Sequence, residues 1–126
     1  MIRHLNLKLV TFIVLGDRNE STVLSLAASL ALAARDPLGT AIRDGSDEPE
    51  VQLQRVDRYQ TLASKGLTGI INGHAVVLGN STLFAELGVT VGDLGGWAAR
   101  LSQQGQSVTF IAVDGNAVGF FATRCE

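Results

Sequence analysis

One segment constrains this chain more than any other: Lys65-Gly66-Leu67-Thr68-Gly69-Ile70-Ile71-Asn72-Gly73-His74-Ala75-Val76-Val77-Leu78-Gly79-Asn80. Two apolar runs flank Asn72-Gly73, and glycines stand at both outer ends. Asn-Gly is the strongest short-range signal for a type I′ hairpin, because both central residues need φ > 0. The segment therefore reads as two paired strands, with Gly66, Gly69 and Gly79 where the strands begin or end. A missing side chain there lets another backbone or a flat ligand approach closely. The hairpin is the first candidate binding site.

The flanking sequence supplies strands and helices in turn. Leu9-Val10-Thr11-Phe12-Ile13-Val14-Leu15 is rich in β-branched residues and reads as a buried strand. It is far short of the ~20 apolar residues that a spanning helix needs, and no small-x-small cleavage site follows it. Asn19 or Ser21 caps a helix whose apolar positions Val23, Leu24, Leu26, Ala27, Leu30, Ala31 and Ala34 recur at helical spacing. Asp36-Pro37 ends that helix, and Pro37 suits the first turn of a second one over Leu38 to Arg43. Residues 44–50 form an acidic connector, and Val51 to Val56 reads as a strand. Beyond the hairpin, Asn80 caps a short helix that stops at Gly88, and another runs from Asp93 to Gln104 with Trp97, Ala98 and Leu101 as its apolar stripe. Ser107 to Val113 and Ala117 to Ala122 make a last hairpin across Asp114-Gly115-Asn116. The class is α+β, a mostly antiparallel sheet flanked by two helical hairpins.

The 126 residues fit a single domain, and an apolar fraction of 46% against 17% charged gives ample material for its core. A net charge of −2 and only seven aromatic rings (five Phe, one Tyr, one Trp) argue against a nucleic-acid partner. The single cysteine, Cys125, cannot form an internal disulfide, so a reducing compartment is the default. His4 and His74 have no acid or thiol at metal-ligand spacing, His74 reads as a surface residue, and the acids of the connector read as a solvated loop. No metal site and no catalytic residue is expected. Neither a nucleophile elbow nor a Walker phosphate loop occurs in the sequence. These features point to binding rather than bond chemistry.

Read together, four pieces resemble, in order, the nucleotide-binding (N) domain of heavy-metal P-type ATPases, the copper- and zinc-type pumps. Asp36-Pro37-Leu38-Gly39-Thr40-Ala41-Ile42, preceded by Ala27-Ala28-Ser29-Leu30, is similar to the family's Ser-Glu-His-Pro-Leu-x-x-Ala-Ile segment. Ser64-Lys65-Gly66-Leu67-Thr68-Gly69 resembles its Gly-x-Gly-Val-x-Gly motif, and Val77-Leu78-Gly79-Asn80-Ser81-Thr82-Leu83 its Val-Gly-Asn-x-x-Leu. Ile111-Ala112-Val113-Asp114-Gly115, with Gly119 after it, resembles the strand pair that returns to the phosphorylation domain. The match runs from about Ser21 to Ala122.

The resemblance implies an ATP-binding domain that grips adenine without Mg²⁺ and presents the triphosphate to a separate phosphorylation domain. The implied nucleotide-binding positions are Ala31, Arg35, Asp36, Pro37, Ser64, Gly66, Leu67, Gly69, Gly79 and Asn80. It also implies a cytoplasmic domain of a membrane protein, joined at its two ends to the phosphorylation domain, with no membrane contact of its own. The phosphorylated Asp-Lys-Thr-Gly-Thr motif is not in this sequence, so efficient ATP hydrolysis is not expected of the chain alone.

The chain departs from the family at the pocket. A glutamate and a histidine that hold adenine correspond to Ala31 and Asp36, and the first motif glycine to Ser64. Losing both polar contacts weakens binding by roughly ten- to a hundredfold, at about 1 kcal/mol or somewhat more each. Asp36 can accept a hydrogen bond from an exocyclic amine, and Arg35 can stack its guanidinium on the ring. The Cβ of Ser64 crowds the ring. Two other readings stay open: a non-catalytic descendant used for protein contacts or regulation, and an unrelated α+β domain whose glycines only shape turns.

Overall fold

The Asn72-Gly73 turn is the pivot of the sheet: φ is +51° at Asn72 and +79° at Gly73, as a type I′ turn requires. The computed structural model describes residues 7–16, 18–45 and 51–125. His4 and most of the acidic connector, including Asp47, Glu48 and Glu50, lie outside the described residues.

The elements are β1 (Leu7–Val14), α1 (Glu20–Ala33), α2 (Pro37–Gly45), β2 (Asp57–Leu62), β3 (Gly66–Ile71), β4 (His74–Gly79), α3 (Ser81–Glu86), α4 (Leu94–Gln103), β5 (Ser107–Val113) and β6 (Asn116–Cys125). The six strands form one antiparallel sheet in the order β1-β6-β5-β4-β3-β2. The α+β class and the two helical pairs therefore stand as the sequence predicts.

Alternation along β5 gives the sheet two buried faces. Ile111 and Val113 point into a core shared with Val23, Leu24, Leu30 and Ile42 of α1 and α2. Phe110 and Ala112 point into a second core with Phe84, Leu94 and Ala98 of α3 and α4. In the second core the Phe84, Phe110 and Phe120 rings meet at centroid distances of 5.5 and 6.1 Å, tilted or edge-on, and Trp97 meets Phe120 edge-on at 5.9 Å. Each such pair adds about 0.5–1.5 kcal/mol beyond the area it buries.

Nine consecutive residues of α1, Val23 to Ala31, are buried. A helix covered all round needs more than a sheet on one side. The sheet and α2 cover part of it, and residues 51–56 lie against another part. Here the structure corrects the sequence reading: 51–56 is not a strand. Its backbone is laced to the helix, with Ser25 Oγ donating to the Gln52 carbonyl (2.5 Å) and the Gln54 N–H donating to Ser29 Oγ (2.8 Å). Two serines one turn apart stand about 6 Å along a helix axis, close to the two-residue step of an extended chain. The strand comes later, as β2, an exposed edge with the polar sequence Asp57 to Leu62.

Two smaller corrections follow. β1 is a strand but only half-buried, because it pairs with β6 alone at the sheet edge and exposes Val10, as Leu15 just after it is exposed. The last hairpin turns on Asp114-Gly115 (φ +51° and +84°), while Asn116 already pairs with Val113.

Candidate functional site

The sharp elbow between α1 and α2 makes one wall of the site. The Asp36 N–H donates to the Ala31 carbonyl at 2.8 Å and the Arg35 N–H to the Leu32 carbonyl at 3.1 Å, with Arg35 at φ +57°. This is a Schellman closure in which an arginine occupies the left-handed position usually given to glycine. Asp36 then starts the next helix: its Oδ1 accepts the Leu38 N–H at 2.9 Å, and Pro37 fills the first helical position. Gly39 lets the elbow close tightly, since a Cβ there would stand 2.7 Å from Leu32 Cγ.

The opposite wall is the open end of the β3–β4 hairpin. Gly66 and Gly79 are cross-strand partners. A Cβ on Gly66 would stand 2.0 Å from the Leu78 carbonyl oxygen, so no other residue fits. Asn80 holds this end together with both halves of its amide. Its Oδ1 accepts the Leu83 N–H (2.9 Å), capping α3, and its Nδ2 donates to the Ser64 carbonyl (2.9 Å). The Asn80 N–H also donates to the Lys65 carbonyl at 2.9 Å.

A concavity of about 120 Å³ lies between these walls. Asp36 and Leu38 come from the elbow, Lys65, Gly66 and Leu67 from the start of β3, Leu78, Gly79 and Asn80 from the end of β4, and Thr109 from β5. The site is defined by this convergence rather than by size. Larger grooves of about 340 and 300 Å³ lie elsewhere, one edged by Arg18 and His74 and one by Ser21 and Gln52.

Five of the ten residues singled out from the sequence therefore meet: Asp36, Gly66, Leu67, Gly79 and Asn80. The other five do not line the concavity. Ala31 is fully buried in the first core, and Arg35 and Pro37 are exposed on the outside of the elbow. Ser64 sits in the exposed β2–β3 turn at φ +63°. The space beside Gly69 is taken by the protein itself, since a Cβ would stand 2.8 Å from Leu30 Cδ1 and 2.9 Å from Val56 Cγ1. Its glycine serves helix-on-sheet packing. Lys65, Leu38, Leu78 and Thr109 complete the lining without having been singled out. Thr109 reaches the site only because β5 lies beside β4, a pairing with no local sequence signal.

The polar chemistry of the concavity is sparse. Lys65 Nζ is paired with Glu86 of α3 at 2.8 and 3.0 Å, a half-exposed ion pair worth at most about 1 kcal/mol. Both ends of the Asn80 amide are engaged. Asp36 is the acidic side chain of the lining, and among the described residues no donor is recorded on its Oδ2. Among the described residues no group of three or more His, Cys, Asp or Glu side chains comes together as a metal site. His74 is exposed, as the sequence suggests, and no described helix is long and apolar enough to cross a membrane.

No family model matches the chain. Over 115 residues, 91% of its length, it is 36% identical to a copper-transporting P-type ATPase of Rhizobium leguminosarum bv. viciae and 37% identical to a copper-exporting P-type ATPase of Legionella pneumophila. It spans only 14% and 16% of those two relatives. Its fold matches the N-domain of HMA6, a copper-transporting P-type ATPase, with a TM-score of 0.72 and 24% identity over 96% of this chain and 99% of that one. It also matches part of a zinc-transporting PIB-type ATPase with a TM-score of 0.80 at 20% identity, over 96% of this chain and 19% of the larger one.

Proposed function

Because this chain is a homologue of heavy-metal P-type ATPases and has the fold of their nucleotide-binding domains, we propose that it binds ATP at the cleft between the α1–α2 elbow and the β3–β4 hairpin. The base lies against Gly66, Gly79 and Leu67, where the backbone is bare, and the triphosphate points out of the domain. In a longer pump, a phosphorylation domain outside this chain would take the γ-phosphate. The domain would lie on the cytoplasmic side and supply nucleotide positioning to heavy-metal export. The base needs no Mg²⁺ to dock, because no charged phosphate contact is asked of this cleft.

The observation that carries the proposal is the convergence of Asp36, Gly66, Leu67, Gly79 and Asn80, five residues drawn from three separate stretches of sequence, around one concavity. The test is an NMR titration of ¹⁵N-labelled chain with ATP, with and without Mg²⁺. Amide shifts clustered at Gly66, Leu67, Gly79 and Asn80, and unchanged by metal, are the expected result. Silence up to several millimolar ATP would sink the proposal.

A second reading has its own support. Ala31 is sealed in the core, Asp36 is committed in part to capping α2, and the cleft is small against the ~300 Å³ and upward of ordinary ligand sites. These features suit a descendant that keeps the fold for protein contacts. That reading predicts no change of thermal midpoint with ATP.

A further inference from the structure

We infer that the groove at the far end of the β3–β4 hairpin is a second binding site, for a small phosphate, free or as a monoester. It is the groove of about 340 Å³ edged by Arg18 and His74, with α1, Gln54 and the Asn72-Gly73 and Asp114-Gly115 turns around it. Five residue steps along the hairpin, about 17 Å, separate it from Gly66 and Gly79. The inference is therefore independent of what the cleft binds. Leu26, Ile71 and Val113 form a buried apolar floor. Asp114 engages both carboxylate oxygens within the protein, on His74 Nδ1 and on the Ala75 N–H. The Gln54 amide donates to Ser25 Oγ at 2.8 Å and accepts from Asn72 Nδ2. Four groups stay open. The Arg18 guanidinium and the Thr22 hydroxyl make no hydrogen bond or ion pair among the described residues, and neither do His74 Nε2 and Asn72 Oδ1.

A guanidinium and a hydroxyl are donors that hold an oxyanion, and the arginine fork matches two phosphate oxygens at once. The two remaining groups decide which oxyanion. Asn72 Oδ1 is an acceptor only, and His74 Nε2 is an acceptor whenever the ring's single proton sits on Nδ1, towards Asp114. An anion without a proton meets both atoms lone pair to lone pair. A phosphate has its second ionisation at about pH 6, so it brings a proton that it can donate to either acceptor. If the proton passes to Nε2 instead, the same hydrogen bond stands with its direction reversed. Sulfate and carboxylates carry no such proton near neutrality. The titratable groups lining the groove are Arg18, His74 and Asp114, and the one negative charge among them is already turned to His74 and the Ala75 N–H.

The experiment titrates the ¹⁵N-labelled chain near neutral pH with inorganic phosphate, methyl phosphate and sulfate, following the amides and the His74 ring. Expected are millimolar dissociation constants for both phosphates, with shifts centred on Arg18, Thr22, His74 and Ala75 while Gly66 and Gly79 stay still. Sulfate should bind about tenfold more weakly, because it leaves the two acceptors unpaired. The tighter of the two phosphates identifies the source, free ion or ester. Arg18→Gln, at an exposed position, should weaken phosphate binding about five- to tenfold with an unchanged thermal midpoint. Thr22→Val makes the same comparison through the hydroxyl and leaves the backbone N–H on its Asn19 cap. Sulfate binding as tightly as phosphate, or a phosphate affinity that neither variant lowers, would overturn the inference. So would silence at tens of millimolar phosphate, or shifts confined to Gly66 and Gly79.

Discussion

His74 Nδ1 lies 2.7 Å from Asp114 Oδ2, joining residues that follow and open two different hairpin turns. The other oxygen of Asp114 accepts the Ala75 N–H at 2.9 Å, and the Asp114 N–H donates to the Ala75 carbonyl at 2.8 Å. One aspartate at the tip of the β5–β6 turn thus clasps the first two residues of β4.

This clasp has a pH dependence of known sign. The hydrogen bond from His74, then that from Ala75, and the nearby charges of His74 and Arg18 hold the Asp114 carboxyl below its ordinary value of 3.8. A carboxylate lowered by folding contributes stability that is fully present above its unfolded-state value and is lost as the pH falls through the folded one. Asp114→Asn keeps the left-handed turn, which Asn tolerates, but removes the charge. Urea denaturation at stepped pH should show the variant less stable than the parent near neutrality, the gap closing at the acid end.

Asn80 should be the most costly polar residue of the cleft to lose. Asn80→Ala removes the cap of α3 and the tie to Ser64 together. A cap is worth about 1 kcal/mol and a further hydrogen bond about the same. Equilibrium denaturation should therefore show a loss of about 2 kcal/mol, and a loss under about 0.5 kcal/mol would contradict the role given to it.

Two glycines separate steric demand from backbone conformation. Gly66→Ala drives a Cβ into the Leu78 carbonyl and should cost about 3 kcal/mol or more, with the hairpin forced apart. At Gly73 nothing lies within 4 Å of the added carbon, and only the left-handed φ of +79° opposes it. Gly73→Ala should cost about 1–2 kcal/mol. Equal losses at the two sites would show that the close approach of β3 and β4 is not limiting.

Ser64 holds φ +63° in a turn where its side chain is exposed. Ser64→Gly relieves about 1–2 kcal/mol of backbone strain and gives back part of it as unfolded-state entropy. A net gain of about 0.5–1 kcal/mol is expected in thermal or chemical unfolding.

What the sequence made legible was whatever is enforced locally. The Asn72-Gly73 turn, the Asp36-Pro37 elbow and the Asn80 cap each depend on hydrogen bonds between residues no more than five positions apart, and all three form as read. The segment 51–56 was misread because its backbone partners, Ser25 and Ser29, lie about 25 residues away on a helix. Its apolar residues Val51 and Val56 pack into the core either way, so hydrophobicity could not decide between sheet and helix as the support. The candidate site was half legible for the same reason. Glycines mark where backbone comes close, but nothing in the chain says whether protein or ligand fills the space, and at Gly69 the answer is Leu30.

The pairing of β1 with β6 has a mechanical consequence. Leu7 lies opposite Cys125, so the two ends of the described chain leave the sheet side by side at one edge. A pull applied through both ends loads the ladder like a zipper, opening its bonds in succession, rather than in shear across all of them. The domain would yield first at Leu7 and Cys125, peeling β1 away while the sheet from β5 to β3, which carries Thr109, Gly79 and Gly66, keeps its register. Tension arriving from a neighbouring body would be dissipated at that seam before it reached the cleft.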